Sequence, residues 1–155
     1  NNNFILVLTG DNKGNLRYIK NIIKESNLEI NVKILNFLTE DQIISLYINS
    51  DALLMPTYVA RTTLPLLEAL YFELPIFYSK NILDKEYSKY VNEFDLNNPS
   101  ELYEKLTIFL NKRNNFKDKT LAGREFYNKI SDKESAQIKL ETIFNEYNYL
   151  SSRWK

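Results

Sequence analysis

Neither cysteine nor histidine occurs anywhere in the 155 residues. Their absence excludes thiol nucleophiles, disulfide staples, Ser-His-Asp relays, imidazole acid–base chemistry and Cys/His zinc sites. Glycine is scarce, at three copies, so any phosphate cradle must rest on a helix start and not on a glycine-rich loop. No G-x-G-x-x-G, G-x-x-x-x-G-K-[ST] or Asp-x-Asp occurs, which removes support from a dinucleotide fingerprint, a P-loop and a metal-chelated diphosphate. Charge of neither sign predominates: 20 Lys+Arg against 20 Asp+Glu cancel to zero, where a nucleic-acid-binding domain would carry a basic excess. No apolar run approaches the ~20 residues of a membrane-spanning helix, and no signal peptide is visible. Chemistry must therefore draw on carboxylates, Lys/Arg, hydroxyls and backbone amides. The expected address is cytoplasmic, and the missing cysteines agree with it.

What the chain does have is enough apolar material for one core. At this length folding buries roughly 68 to 70% of the unfolded surface, so one domain over residues 1–155 is expected. The chain opens on Asn1 and enters an apolar stretch at once, which gives the expectation of a piece of a longer protein. Phe4-Ile-Leu-Val-Leu-Thr-Gly10 is a continuous apolar run ending in glycine, expected as an interior strand buried on both faces. A turn-rich loop, Asp11 to Asn15, leads to Leu16, Ile19, Ile22 and Ile23 at helical spacing. A second strand is expected over residues 31–36. Thr39 and Gln42 then frame a capping box before Ile43, Leu46 and Tyr47.

Ala52-Leu-Leu-Met-Pro56 reads as a third strand stopped by its proline. The following helix begins around Leu64, with Thr62 or Thr63 as N-cap and Pro65 in the first turn, where a missing N–H costs nothing. Leu74 to Tyr78 is a fourth strand, and Asn98-Pro-Ser-Glu101 opens another helix with Pro99 first. Two further helices are expected, over 121–130 and from Lys133 onward. The last places Ala136, Leu140, Ile143, Phe144 and Tyr147 on one stripe. The fold class is thus α/β: a Rossmann-like parallel sheet with flanking helices and a helical C-terminal tail. The abundant aromatics are expected mostly in the core, with Trp154 either packing against a further lobe or lying in a frayed end.

Ligands of open parallel sheets bind beyond the carboxyl ends of the strands, so the loops after Leu8, Asn36, Met55 and Phe77 are the ones to inspect. The loop Pro56-Thr-Tyr-Val-Ala-Arg-Thr-Thr63 carries a cation, three threonine hydroxyls and a tyrosine, and feeds a helix N-terminus. A helix start beside Arg61 favours anions, phosphate in particular; an ordinary capped loop with an exposed arginine has the same composition. Within Leu64 to Phe72, Glu68 is the single charge of an otherwise apolar helix. A carboxylate in such a setting needs a partner, and a ligand hydroxyl pair such as a ribose diol is one candidate. A surface lysine on the wet side of the helix is the other, and residue chemistry leaves both open.

Three segments together carry a resemblance: Ser50-Asp-Ala-Leu-Leu-Met-Pro-Thr57, Leu64-Pro-Leu-Leu-Glu-Ala69 and Leu74-Pro-Ile76. They resemble the donor-lobe signature of retaining glycosyltransferase family 4, also called group 1. There a strand ends in Pro-Ser/Thr, a helix carries x-L-P-x-L-E-A, and a Gly-x-Pro-like turn follows. Phe4 to Gly10, Val32 to Leu38 and Asp41 to Tyr47 are similar to earlier family segments, so the resemblance spans nearly the whole chain. It implies that Glu68 binds the nucleotide ribose, that Thr62, Thr63 and Leu64 face the diphosphate and sugar at the helix start, and that Phe37 and Leu38 lie near the base.

Two departures stand out. The first Glu of the family's Glu-x7-Glu motif falls on Ala60, so Arg61, Thr62 and Thr63 are left to substitute in sugar recognition. The family's first strand-helix unit, with its Arg/Lys pair, and its N-terminal acceptor lobe are expected to precede this chain. The resemblance implies the donor-binding part of an enzyme moving a sugar from a nucleoside diphosphate sugar to an acceptor hydroxyl with retention, without a metal or other cofactor. No catalytic residue is assigned, and the fragment alone is expected to be inactive. Implied partners are a nucleotide sugar, the acceptor lobe of the same parent chain and a glycan or glycolipid acceptor, with no nucleic acid. The parent is expected in the cytoplasm, with peripheral attachment at the inner membrane face as an option. The alternative is a non-catalytic α/β nucleotide- or partner-binding module; a related sugar-nucleotide epimerase or phosphorylase is a third.

Overall fold

A computed structural model describes residues 4–59 and 64–152. Two compact units divide it, Asn1–Asn49 and Ser50–Lys155. In the first, strand β1 (Leu6–Thr9) is followed by helix α1 (Leu16–Glu25), strand β2 (Val32–Leu35) and helix α2 (Glu40–Ile48). The two strands pair in parallel, from Leu6 opposite Val32 to Thr9 opposite Leu35. Leu16, Ile19 and Ile23 form the less exposed side of α1. Thr39 caps α2 as its sequence indicates: its Oγ1 accepts the Gln42 amide, and the Gln42 side chain accepts the Thr39 amide at 2.9 Å. Contrary to the expectation of an interior strand, β1 is half-buried and pairs with β2 alone among the described residues.

The second unit holds the core. Strand β3 (Leu53–Met55) stops at Pro56, helix α3 (Leu64–Tyr71) follows, then strand β4 (Ile76–Ser79), a short helix α4 (Lys85–Ser88) and strand β5 (Asn92–Phe94). All three strands are parallel in the order β3-β4-β5, with Met55 opposite Tyr78 and Ser79 opposite Phe94. Strand β4, buried throughout, is the central one. The sequence reading has no counterpart to β5: at three residues, Asn-Glu-Phe, it carries no hydrophobic period. Its polar members are used locally, since Asn92 Nδ2 donates to the Ile76 carbonyl and Lys119 Nζ donates to Val91 O and Asn92 Oδ1.

Helix α5 (Pro99–Asn111), with Pro99 in its first turn, covers this sheet; a 3₁₀ turn (Arg113–Phe116), helix α6 (Lys117–Ser131) and helix α7 (Lys133–Ser152) complete the chain. Phe77, Phe94 and Phe109 are buried together, and Phe116 closes edge-on to Phe109 at 5.2 Å between ring centroids. Such pairs contribute about 0.5–1.5 kcal/mol beyond their burial. Helix α6 packs on α3 at Gly123, where a Cβ would stand 2.7 Å from Leu70 Cδ2, so glycine permits the close approach. Phe126 stacks on Tyr90 at 4.7 Å. The aromatics divide by place: Tyr78 and the Phe77, Phe94 and Phe109 cluster are core, but Tyr18, Phe37, Tyr58, Tyr103, Phe144, Tyr147 and Tyr149 are exposed. The predicted stripe of α7 exists, and its Leu140, Ile143, Phe144 and Tyr147 are all more than half exposed. No helix of the described residues is long and apolar enough to cross a membrane.

Candidate functional site

Because β3, β4 and β5 run parallel, Met55, Ser79 and Phe94 bring their carboxyl ends to one edge of the sheet. That edge carries the start of the loop from β3 to α3, the Ser79-Lys80 step and the Asp95 turn. Pro56 halts β3 because it lacks an N–H for the ladder. Thr57 then folds the chain locally: its Oγ1 donates to Val59 O at 2.7 Å and accepts the Val59 amide at 3.2 Å. This turn leaves Tyr58 and Val59 exposed.

Helix α3 presents two faces. Leu66, Ala69 and Leu70 are buried, while Leu64, Glu68 and Tyr71, spaced i, i+4 and i+7, share the opposite side. Leu64 is 73% exposed, an apolar residue in the first turn of an otherwise well-covered helix. Glu68 is half-buried beside it on that stripe, and its side chain or backbone is engaged within the fold. By helix geometry the first-turn N–H groups point out from the N-terminal end of α3, with the positive end of the helix dipole. At the other end Arg124 of α6 donates to the Tyr71 carbonyl and lies 3.8 Å from the centre of the Tyr71 ring, so it caps the helix and covers the aromatic together.

Of the residues singled out from the sequence, Leu64 and Glu68 are brought onto one helix face. Arg61, Thr62 and Thr63, with Ala60, lie outside the described residues. Phe37 and Leu38 belong to the other unit, in the loop from β2 to α2, where Phe37 is 78% exposed and Leu38 half-buried. A shallow depression of about 370 Å³ in that unit is lined by Asn12, Leu16, Arg17, Lys20 and Asn21 and contains none of the predicted residues.

Two residues at the strand-end edge escape sequence reasoning. Ser79 is fully enclosed, and its Oγ accepts the Thr57 amide at 2.7 Å and donates to the Met55 carbonyl at 3.2 Å. Glu101, in the first turn of α5, reaches back so that Oε2 accepts the Asp95 amide at 3.0 Å, with Lys105 Nζ 3.3 Å from Oε1. The hydrogen bond from the Asp95 amide is the largest influence and holds the Glu101 carboxyl below its ordinary value; burial opposes it, and Lys105 and then Lys80 add smaller lowering effects. The edge is therefore built from organised loops, with cationic Lys80 exposed on it.

Residues 1–120 match the family model described as glycosyl transferases group 1. The chain belongs to that family. As a glycosyltransferase-family domain it is similar in fold to sucrose-phosphate synthase from Thermosynechococcus elongatus, at 15% identity and a TM-score of 0.78 over 94% of this chain and 39% of the synthase. It is similar to WaaG, described as a glycosyltransferase involved in lipopolysaccharide biosynthesis, at 19% identity and a TM-score of 0.66 over 83% of this chain and 34% of WaaG. The C-terminal domain of the group 1 family protein LpcC from Francisella tularensis gives 14% identity and a TM-score of 0.61, over 74% of this chain and 63% of that domain. No curated protein matches the chain by sequence. The domain thus spans well under half the length of the synthase and of WaaG.

Proposed function

We propose that this glycosyltransferase domain is a nucleotide-sugar-binding lobe, the donor-binding part of a parent enzyme that transfers a sugar to an acceptor hydroxyl with retention at the anomeric carbon. The observation that carries the reading is the family match over residues 1–120, which includes the helix bearing Glu68 and the loop that feeds it. In this reading Glu68 accepts hydrogen bonds from the nucleotide ribose and positions the donor without moving a proton. Arg61, Thr62 and Thr63, with the amides through Leu64, face the diphosphate and sugar, and Phe37 and Leu38 serve the base side.

Charge develops on the departing diphosphate, and preorganised amides with a cationic side chain stabilise it most where water is excluded. The absence of an Asp-x-Asp motif supports diphosphate binding without a metal. An N-terminal acceptor lobe of the same parent would close the cleft and bring the acceptor, a glycan or glycolipid. Similarity to WaaG, described as involved in lipopolysaccharide biosynthesis, supports a role in polysaccharide biosynthesis. One lobe supplies half of a cleft, so weak nucleotide binding and little or no transfer are expected of this chain alone.

Calorimetric titration with UDP, GDP and ADP tests the reading. Saturable binding of one nucleotide is expected, and Glu68→Gln should weaken it about tenfold or more, the scale of a lost hydrogen bond to a charged group. Equal binding by the variant would remove Glu68 from the site. One observation favours a second reading, a non-catalytic module: Ala60 stands where many family members carry a Glu. It predicts a parent protein that binds nucleotide and transfers nothing.

A further inference from the structure

We propose that Ser79 is a positioning residue for the donor loop: its buried hydroxyl fixes the direction in which the chain leaves β3 toward α3. The functional side of this inference rests on the donor-site reading above. The register of the sheet explains why a hydroxyl is needed at this place. The β3–β4 ladder ends with Met55 opposite Tyr78, so Ser79 lies one residue past the last paired position. There the backbone of β3 has turned at Pro56, which offers no N–H.

The Ser79 side chain takes over where the ladder stops. It donates to Met55 O at 3.2 Å and accepts from Thr57 N at 2.7 Å, the groups on either side of Pro56. Without it the Thr57 amide keeps only the contact to Met55 O, two residues back, at 3.1 Å. From Thr57 the hydrogen bonds continue through its own Oγ1 to Val59. A continuous path therefore runs from the rigid central strand into the loop that feeds α3.

Filling the core does not require this hydroxyl. At 1% exposure Ser79 is a small buried polar residue, and alanine would occupy nearly the same volume in the same strand. The hydroxyl donates to one side of Pro56 and accepts from the other, where β3 passes into the loop, and that is the reason to assign it a positioning role.

The test compares the native chain with Ser79→Ala and Ser79→Thr by amide hydrogen exchange and by titration with UDP, GDP and ADP. In Ser79→Ala, exchange at Thr57 and Val59 should quicken about tenfold while Phe77 and Phe94 amides keep their protection, and nucleotide affinity should fall about fivefold. Ser79→Thr retains Oγ and should restore both. Unchanged exchange at Thr57 and Val59 would overturn the inference, as would loss of protection at Phe77 and Phe94 in step with the loop, which marks a general structural role. If the native chain binds nucleotide and Ser79→Ala binds it equally well, the inference fails and the donor-site reading stands. If the native chain binds none of the three, the donor-site reading fails and the role assigned toward it falls too.

Discussion

Glu101 shows how a single carboxylate ties this fold to pH. Its folded value lies below its unfolded one, chiefly through the Asp95 amide, so its contribution to stability is fully present above the unfolded value and is lost as pH falls through the folded value. Denaturant midpoints measured from neutral to strongly acid pH should therefore decline for the native chain. Glu101→Gln should lower stability at neutrality and flatten part of that decline; parallel curves would contradict the assignment. Glu68 is legible in the sequence because a lone charge among Leu, Ala and aromatic residues breaks a pattern. Ser79 is not, because a serine after an apolar run looks like the start of any loop. Its partners, Thr57 and Met55, lie 22 and 24 residues away.

At the scale of elements, the helices with explicit start signals are where the sequence places them. The Thr39–Gln42 capping box opens α2, and Pro99 opens α5. Strand β5 is illegible because its place is set by β4 and not by its own three residues. The end of α3 is a subtler case. Glu73 has φ 57°, and the Leu74 amide closes on Ala69 O at 2.9 Å, the left-handed helix ending in which glycine is usual. A side chain in that conformation costs about 1–2 kcal/mol, partly offset by the greater chain entropy that glycine loses on folding. Glu73→Gly should therefore raise the stability of this unit by roughly 0.5–1 kcal/mol in urea unfolding, and a loss of stability would show that the Glu73 side chain does more than tolerate the turn.

Over the whole molecule, alternation of apolar runs and amphipathic segments suffices to identify parallel α/β architecture, and the family match over residues 1–120 agrees with it. What the alternation does not reveal is how burial is distributed. The described residues of Asn1–Asn49 are half-buried at most, whereas β4 and its Phe neighbours form a closed core in Ser50–Lys155. Periodicity reports which side of an element is apolar, and coverage depends on what packs there. Helix α7 makes the same point, with its apolar stripe legible in the sequence and exposed in the fold. The candidate site was legible as a place, the carboxyl end of β3 and the start of α3, since parallel strands dictate where loops gather. The hydrogen bond that anchors its first residues, from the Thr57 amide to Ser79 Oγ, depends on a contact across the sheet.

The claim that this strand-end edge receives a nucleotide is tested most directly by ¹⁵N NMR titration of the chain with UDP, GDP and ADP. One nucleotide should shift the amides of Thr57 to Val59 and of Leu64, Leu66 and Leu67 in a saturable way, while Phe109 and Phe126 in the core stay still. Saturable shifts confined to other surfaces, or none at millimolar nucleotide, would contradict the account.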